Sequence, residues 1–196
     1  MSSHSLAFHL QRHLQRSREN VVGALEGLSE YDVRRPMVPS GTNLLGLVKH
    51  LVGIELGYLG DCVGRPSPVS LPWEADGSVW ESADMWATAD ESRDYVLGLY
   101  RRAWQHSDES FDSLTLDAPA SVPWWPEEHR ETTFGELAVR VVDETAHHAG
   151  HCDLVREMID GRGGREKADV GDEEWWSAHV ARIQAAADTF RSSSTG

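Results

Sequence analysis

The chain has 196 residues, of which 18 are Lys or Arg and 32 are Asp or Glu, so its formal net charge is −14. So negative a chain is unsuited to nucleic acid or to an anionic membrane, because proteins bind both mainly through Lys and Arg contacts to phosphate. The sequence shows no bilayer-spanning apolar run and no signal peptide, and its two cysteines cannot form a disulfide scaffold. We therefore expect a cytoplasmic protein with one sizeable core.

Apolar residues at helical spacing predict the first two helices. The first covers residues 5 to about 29, and the second runs from 44 to 63 with Thr42 as its cap. Gly64, just past the second helix, is typical of a helix end. Residues 65–87 contain three prolines and three tryptophans, and loops of this length are usually functional or disordered.

Two capping boxes predict the starts of the third and fourth helices. The first is Thr88–Glu91, and its helix ends near Phe111. The second is Thr133–Glu136, and its helix ends near Ile159. Four long helices without a convincing strand pattern predict an all-α four-helix bundle with long connecting loops.

The last part of the chain is predicted to differ from the bundle. Residues 1–162 are expected to form the bundle as one domain. Residues 163–196 are expected to form a charged linker, a short helix over 174–190 and a disordered Ser-rich tail.

The predicted fourth helix has polar residues in the middle of its core-facing stripe. Buried polar groups without partners cost about 1–3 kcal/mol each, so something must compensate them. A metal ion would do so, because Glu144 and His148 lie one helical turn apart and their side chains converge. A wet groove or a hydrogen-bonded His/Glu network would also do so, and spacing alone leaves both alternatives open. The stripe consists of Leu137, Val141, Glu144, His148, His151 and Val155.

A metal held by two residues of one helix needs a further ligand, and His50 is the candidate. It lies in the apolar second helix, where a histidine is otherwise more often a satisfied core residue. Gly46, Gly53 and Gly57 lie beside it on one edge of that helix, and each costs roughly 1 kcal/mol relative to alanine. This cost indicates either tight backbone packing or space kept for a ligand.

Three segments resemble the DinB/YfiT-like superfamily of metal-binding four-helix proteins, and in particular its branch of mini-circle-type proteins of unknown function. They are Pro39–Leu51, Val122–Glu127 and Asp143–His151, and the resemblance covers roughly residues 5–160. It implies a DinB-like bundle with a divalent metal, zinc or nickel. The usual pattern of two histidines four apart is replaced here by Glu144 and His148, which is similar to mycothiol-dependent maleylpyruvate isomerase.

The resemblance implies that His50, Glu144 and His148 are the metal ligands. His151 is then a fourth ligand, a partner of a ligand or a catalytic base, and we assign it to the catalytic residues. Three protein ligands leave an open position, as in catalytic zinc sites.

The enzymes of this superfamily are thiol-dependent transferases and isomerases. The resemblance therefore implies an enzyme in which a metal activates a mycothiol-type thiol for attack on a small electrophile, and a homodimer. A non-catalytic, stress-associated metal-binding protein and a metal-dependent hydrolase are the alternatives. An anionic substrate would need local positive residues such as Arg140 or Lys49, and Trp73, Trp124 and Trp125 are candidates for substrate contact.

Overall fold

Helices dominate the computed structural model, which describes residues 5–162 and 171–191. A two-stranded antiparallel sheet, β1 (Pro119–Ser121) with β2 (Glu131–Thr133), precedes the last bundle helix. The all-α bundle is confirmed. Its helices are α1 (Leu6–Gly23), α2 (Glu30–Arg34), α3 (Leu44–Leu59), α4 (Pro72–Ala75), α5 (Arg93–Ser113), α6 (Phe134–Asp160) and α7 (Glu173–Asp188).

The four long helices α1, α3, α5 and α6 form the bundle. α1 packs along α6, and α3 packs along both α5 and α6. α3 is the most buried of them, because twelve of its sixteen residues are shielded from solvent. A residue on α3 can therefore meet residues of α6 directly, which is what a site shared by these two helices requires.

The boundaries of two helices differ from the prediction. The first predicted helix is divided, because α1 ends at Gly23 and α2 begins only at Glu30. The second ends at Leu59 and continues as a 3-10 turn over Asp61–Val63. The prediction of Thr42 as its cap was wrong, because the side chain of Asn43 accepts from the Gly46 amide at 2.8 Å.

Only one of the two capping boxes begins a helix. Thr133 caps α6 by accepting from the Glu136 amide at 3.3 Å, and α6 ends before Gly161 as predicted. Ser92, and not Thr88, caps α5. The Glu91 carboxylate accepts from the Thr88 amide at 2.8 Å, but it also binds a lysine of α3, so this box fixes a loop.

After the 3-10 turn at Asp61–Val63, the segment leading to α5 is ordered into α4 and two further 3-10 turns. Lys49 of α3 fastens it to the bundle. Its Nζ donates to the carbonyls of Ala83 (2.8 Å) and Trp86 (3.0 Å) and to the Glu91 carboxylate (2.9 Å), and it lies 4.3 Å from the centre of the Trp73 ring. Residues 65–87, which were predicted to be a loop, are thus held against α3, and we call them the cover.

Gly46 is where this cover touches α3 most closely. A Cβ at Gly46 would lie 1.8 Å from the carbonyl oxygen of Met85, so the two backbones can approach only because the side chain is missing. Tight backbone packing is thereby confirmed for this glycine.

We expect Gly46→Ala to destabilise the protein by about 1–3 kcal/mol, because the cover must move away from α3. Gly98→Ala on α5 is the matched control, since a Cβ there meets no atom within 4 Å and gains helix propensity. Thermal melts of both variants measure this. Equal melting temperatures for the two would contradict the contact between Gly46 and Met85.

α7 confirms a helix near the predicted position 174–190, and none of its residues is buried. Most of the predicted linker and the Ser-rich tail lie outside the described residues. Within the described ranges, no helix is long and apolar enough to cross a membrane.

Candidate metal centre and adjoining cavity

His50, Glu144 and His148 lie together where α3 crosses α6. One nitrogen or oxygen of each falls within 4.8 Å of those of the other two. Both histidines direct Nε2 toward the same atom, Glu144 Oε1, at 3.4 Å from His50 and 3.2 Å from His148. The two helices thus bring together the three residues that the resemblance implies as ligands.

The other ring nitrogens of the two histidines are also engaged. His50 Nδ1 lies 2.6 Å from Oδ2 of Asp84, which the cover supplies. His148 Nδ1 lies 3.3 Å from His151 Nδ1. Partners of this kind fix the ring orientation of metal-binding histidines and leave the opposite nitrogen facing the ion. His151 therefore lies behind His148 rather than among the three converging groups.

The environment sets the charge of each group. Burial acts to lower the pKa of His50, but hydrogen bonds and charges from Asp84 and Glu144 outweigh it, so this pKa lies above its usual value. Burial and the charge of His50 lower the pKa of His148 to about 4. Burial opposes ionisation of Glu144, yet the two histidines hold its pKa below the usual value. At neutral pH the centre therefore offers a carboxylate and a neutral His148.

This donor set fits a divalent metal. Imidazole nitrogen and carboxylate oxygen are the ligand types of zinc and nickel sites, and three of them leave room for a further ligand. The side chain of Glu144 is 34% exposed, whereas those of His50 and His148 are 18% and 11% exposed. The polar stripe of α6 thus opens toward solvent at Glu144 and is less buried there than the sequence pattern predicts.

We expect metal affinity to fall as the pH falls below the pKa of His50. A proton on its imidazole must leave before a metal binds, so the affinity changes by about tenfold per pH unit in that range. The neutral His148 imidazole adds no such dependence above pH 5. Competition with a chromophoric chelator between pH 5.5 and 8 measures this, and a constant affinity would show that His50 is not a ligand.

A cavity of about 490 Å³ adjoins the centre at His50, which is one of its lining residues. Its walls combine aromatic rings with charged groups, and Gly53 and Gly57 of α3 leave room for it. The predicted contact residues Trp73, Trp124 and Trp125 all line it. Further lining side chains are Tyr58, Asp61, Glu74, Trp80, Asp84 and Arg140.

Asp84 and Glu74 are site residues that sequence reasoning missed. Both lie in the segment between α3 and α5, where no periodicity predicts the direction of a side chain. The Glu74 carboxyl lies over Gly53, where an added Cβ would be 2.8 Å from its Oε1. One signal could have found them: the segment is rich in proline and tryptophan, and it follows a helix that carries a candidate ligand.

The two cysteines do not contribute to the centre. Cys62 and Cys152 are free and buried. Burial raises the pKa of Cys62 to about 12 and raises that of Cys152 still further above its usual value. A thiol that reacts at this site therefore has to come from a ligand.

Comparison with known proteins identifies the fold and the family. No curated protein matches the chain. A crystal structure of a conserved protein from Enterococcus faecalis matches with a TM-score of 0.62 and 12% identity, over 81% of this chain and 99% of that one, which is a likeness of fold. The model of the mycothiol-S-transferase family matches residues 9–161. The chain therefore belongs to the mycothiol-S-transferase family, a DinB-like family.

Proposed function

We propose that the protein is a metal-dependent transferase that joins a low-molecular-weight thiol of the mycothiol type to a small electrophile. The convergence of His50, Glu144 and His148 beside a cavity carries this proposal. The family match supports a mycothiol-related transferase. A divalent zinc or nickel ion held by these three side chains would lower the pKa of a thiol at its open position, so that thiolate is available near neutral pH.

Side chains that line the cavity can accept the proton of the thiol and contact the molecule that carries it. Desolvation, and after it the charges of Asp61 and Asp84, raise the pKa of Glu74 to about 7. A carboxyl with such a pKa can gain or lose a proton near neutral pH, so ionised Glu74 can accept the proton that the thiol loses. The sulfur then forms a bond to the electrophilic carbon, and the leaving group departs with the electron pair. Ring faces such as that of Trp124 can pack against the thiol's carrier.

The proposal is tested with purified protein loaded with zinc or nickel, mycothiol and chlorodinitrobenzene. We expect thioether formation and chloride release above the uncatalysed rate. His148→Ala should reduce kcat/KM by about 100-fold or more, because loss of even a partner of a metal ligand typically costs about 10–100-fold. A protein whose metal only ties α3 to α6 would carry the ion and show no turnover with any thiol, and that result would overturn the transferase.

We expect the metal content to distinguish the ligands from His151. Wild-type protein should carry about one ion per chain, and His50→Ala and Glu144→Ala should lose it. His151→Ala should keep most of the ion and lose about 10–100-fold in activity, because His151 orients His148. Elemental analysis beside the activity assay measures both quantities.

The reverse pattern would contradict this ligand set. Metal retained in Glu144→Ala and lost in His151→Ala would make His148 and His151 the ligands of α6. His13→Ala on α1 is the matched control, because it removes an exposed histidine outside the site. The predicted homodimer and cytoplasmic location stay predictions.

A further inference from the structure

Arg140 lines the cavity with an exposed side chain whose N–H donors have no protein partner among the described residues. It lies 5.1 Å from the ring centre of Tyr58 and 5.2 Å from that of Trp125. In the part of the chain that the structure describes, it makes these ring contacts and no ion pair or hydrogen bond. Stacking on rings holds a guanidinium in place and leaves its N–H groups free for a ligand.

The buried cations among the described residues are already paired with acidic groups. Acidic residues outnumber basic ones by 32 to 18, so carboxylates are abundant. Other arginines and the lysine of α3 use them: Arg18 binds Glu55, Arg156 binds Asp160, and Lys49 is committed to Glu91 and two carbonyls. Lys49 is therefore not available to a substrate. Arg140 is the Lys or Arg side chain that lines the described cavity.

The position of Arg140 relates it to the centre. Arg140 and Glu144 lie four apart on α6, so they occupy neighbouring turns of the same face. Neighbouring turns are separated by about 5.4 Å along the helix axis. A molecule held by Arg140 in this cavity can therefore extend toward His50, which also lines it. The carboxylates Asp61 and Glu74 also line the cavity and would repel an anion from their part of the wall.

We propose that Arg140 binds the carboxylate of an anionic electrophile, whose reactive carbon lies a few bonds from that carboxylate. The reaction of this electrophile rests on the proposed function, but binding of its carboxylate to Arg140 requires no turnover. A planar guanidinium pairs with a carboxylate through two parallel N–H···O bonds. The rings of Tyr58 and Trp125 fix the guanidinium, and an apolar substrate body then packs between the aromatic walls.

Binding is tested first with an unreactive pair, 4-methylbenzoate and 4-methylbenzamide. The two have nearly the same shape, but the benzoate has a charged carboxylate where the benzamide has a neutral amide. Quenching of tryptophan fluorescence reports their binding beside Trp124 and Trp125. We expect wild-type protein to bind the benzoate at least about tenfold more tightly than the benzamide, which is the value of one charged hydrogen-bond pair. In Arg140→Gln the preference should disappear, and Arg140→Lys should restore part of it.

Turnover is tested next with mycothiol and the electrophiles 4-(bromomethyl)benzoate and 4-(bromomethyl)benzamide. The measured quantity is the ratio of their kcat/KM values, divided by the ratio of their uncatalysed rates. We expect this corrected ratio, benzoate over benzamide, to be about ten or more in wild-type protein and near one in Arg140→Gln. Arg101→Gln, which removes an exposed arginine of α5 away from the cavity, should retain the wild-type ratio.

The two measurements separate the possible failures. Equal binding of benzoate and benzamide by wild-type protein, or a preference that survives in Arg140→Gln, overturns the assignment of Arg140. Preferred benzoate binding that depends on Arg140, without turnover of either electrophile, supports the anion site and overturns the transferase. Turnover with a ratio near one in wild-type protein supports the transferase and overturns the anion site.

Discussion

Replacing Arg18 by methionine is expected to lower the free energy of unfolding by about 3–5 kcal/mol. Arg18 of α1 and Glu55 of α3 are both fully buried, and the guanidinium donates to the two carboxylate oxygens at 2.9 and 2.5 Å. Ser107 of α5 donates to the same carboxylate at 3.0 Å. The variant leaves Glu55 in the core without its counter-ion, and this unpaired group accounts for most of the loss.

The loss should depend on pH. Burial already raises the pKa of Glu55, although Arg18 acts against this. Without Arg18 the folded-state pKa rises further, so folded Glu55 holds a proton that the unfolded chain releases above about pH 4.5. The Arg18→Met protein should therefore lose stability as the pH rises from 5 to 8. Urea unfolding at several pH values measures this.

The matched control removes both charges. In Arg18→Met/Glu55→Leu no buried charge is unpaired, and well-packed apolar replacements of buried ion pairs are often neutral or stabilising. We expect the double variant to regain most of the stability and to lose the pH dependence. A double variant as unstable as Arg18→Met would show that packing, and not charge, explains the effect.

Removal of the proposed metal is expected to have the second large effect. A metal bound only by the native state stabilises it by about 4 kcal/mol at a thousandfold excess over Kd. For a chain of this size, that corresponds to a melting temperature about 8–16 °C lower after chelation. The proposed ligands His50 and Glu144 would join α3 to α6 across 94 residues of sequence, so the loss should be global and cooperative.

The bundle should nevertheless remain folded at room temperature without metal. The carboxylate of Glu144 lies within 3.4 Å of both histidine Nε2 atoms, so the three groups can pair with each other. The apolar core of the four long helices does not involve them. Thermal melts with and without chelator, on protein of known metal content, test this.

Two outcomes would contradict this account. An unchanged melting temperature in protein that did carry metal would mean that the ion does not tie the helices together. Complete unfolding at room temperature would mean that the core alone cannot hold the bundle. His50→Ala is the matched variant: its melting temperature should be low from the start and insensitive to chelator.

The sequence alone determined the bundle and the polar break on α6, whereas the grouping of His50 with Glu144 and His148 came from the family resemblance. Apolar spacing defines long helices because each must bury one face. The same spacing reveals the interruption by the polar residues Glu144 and His148 on α6. Gly161 ends α6 for a local reason, since its φ of +75° suits glycine. Features that depend on neighbours along one helix are therefore readable from sequence.

Tertiary structure decided the rest of the site. Asp84 reaches His50 because Lys49 and Gly46 hold the cover against α3, and these contacts join residues more than thirty positions apart. Thr88–Glu91 has the pattern of a helix start, yet Glu91 binds Lys49 and α5 begins later. Distances between helices and loops decide which carboxylates find partners. They also decide that Arg140 stacks on rings instead of pairing with a carboxylate. No local periodicity encodes those distances, because they follow from how the whole chain packs.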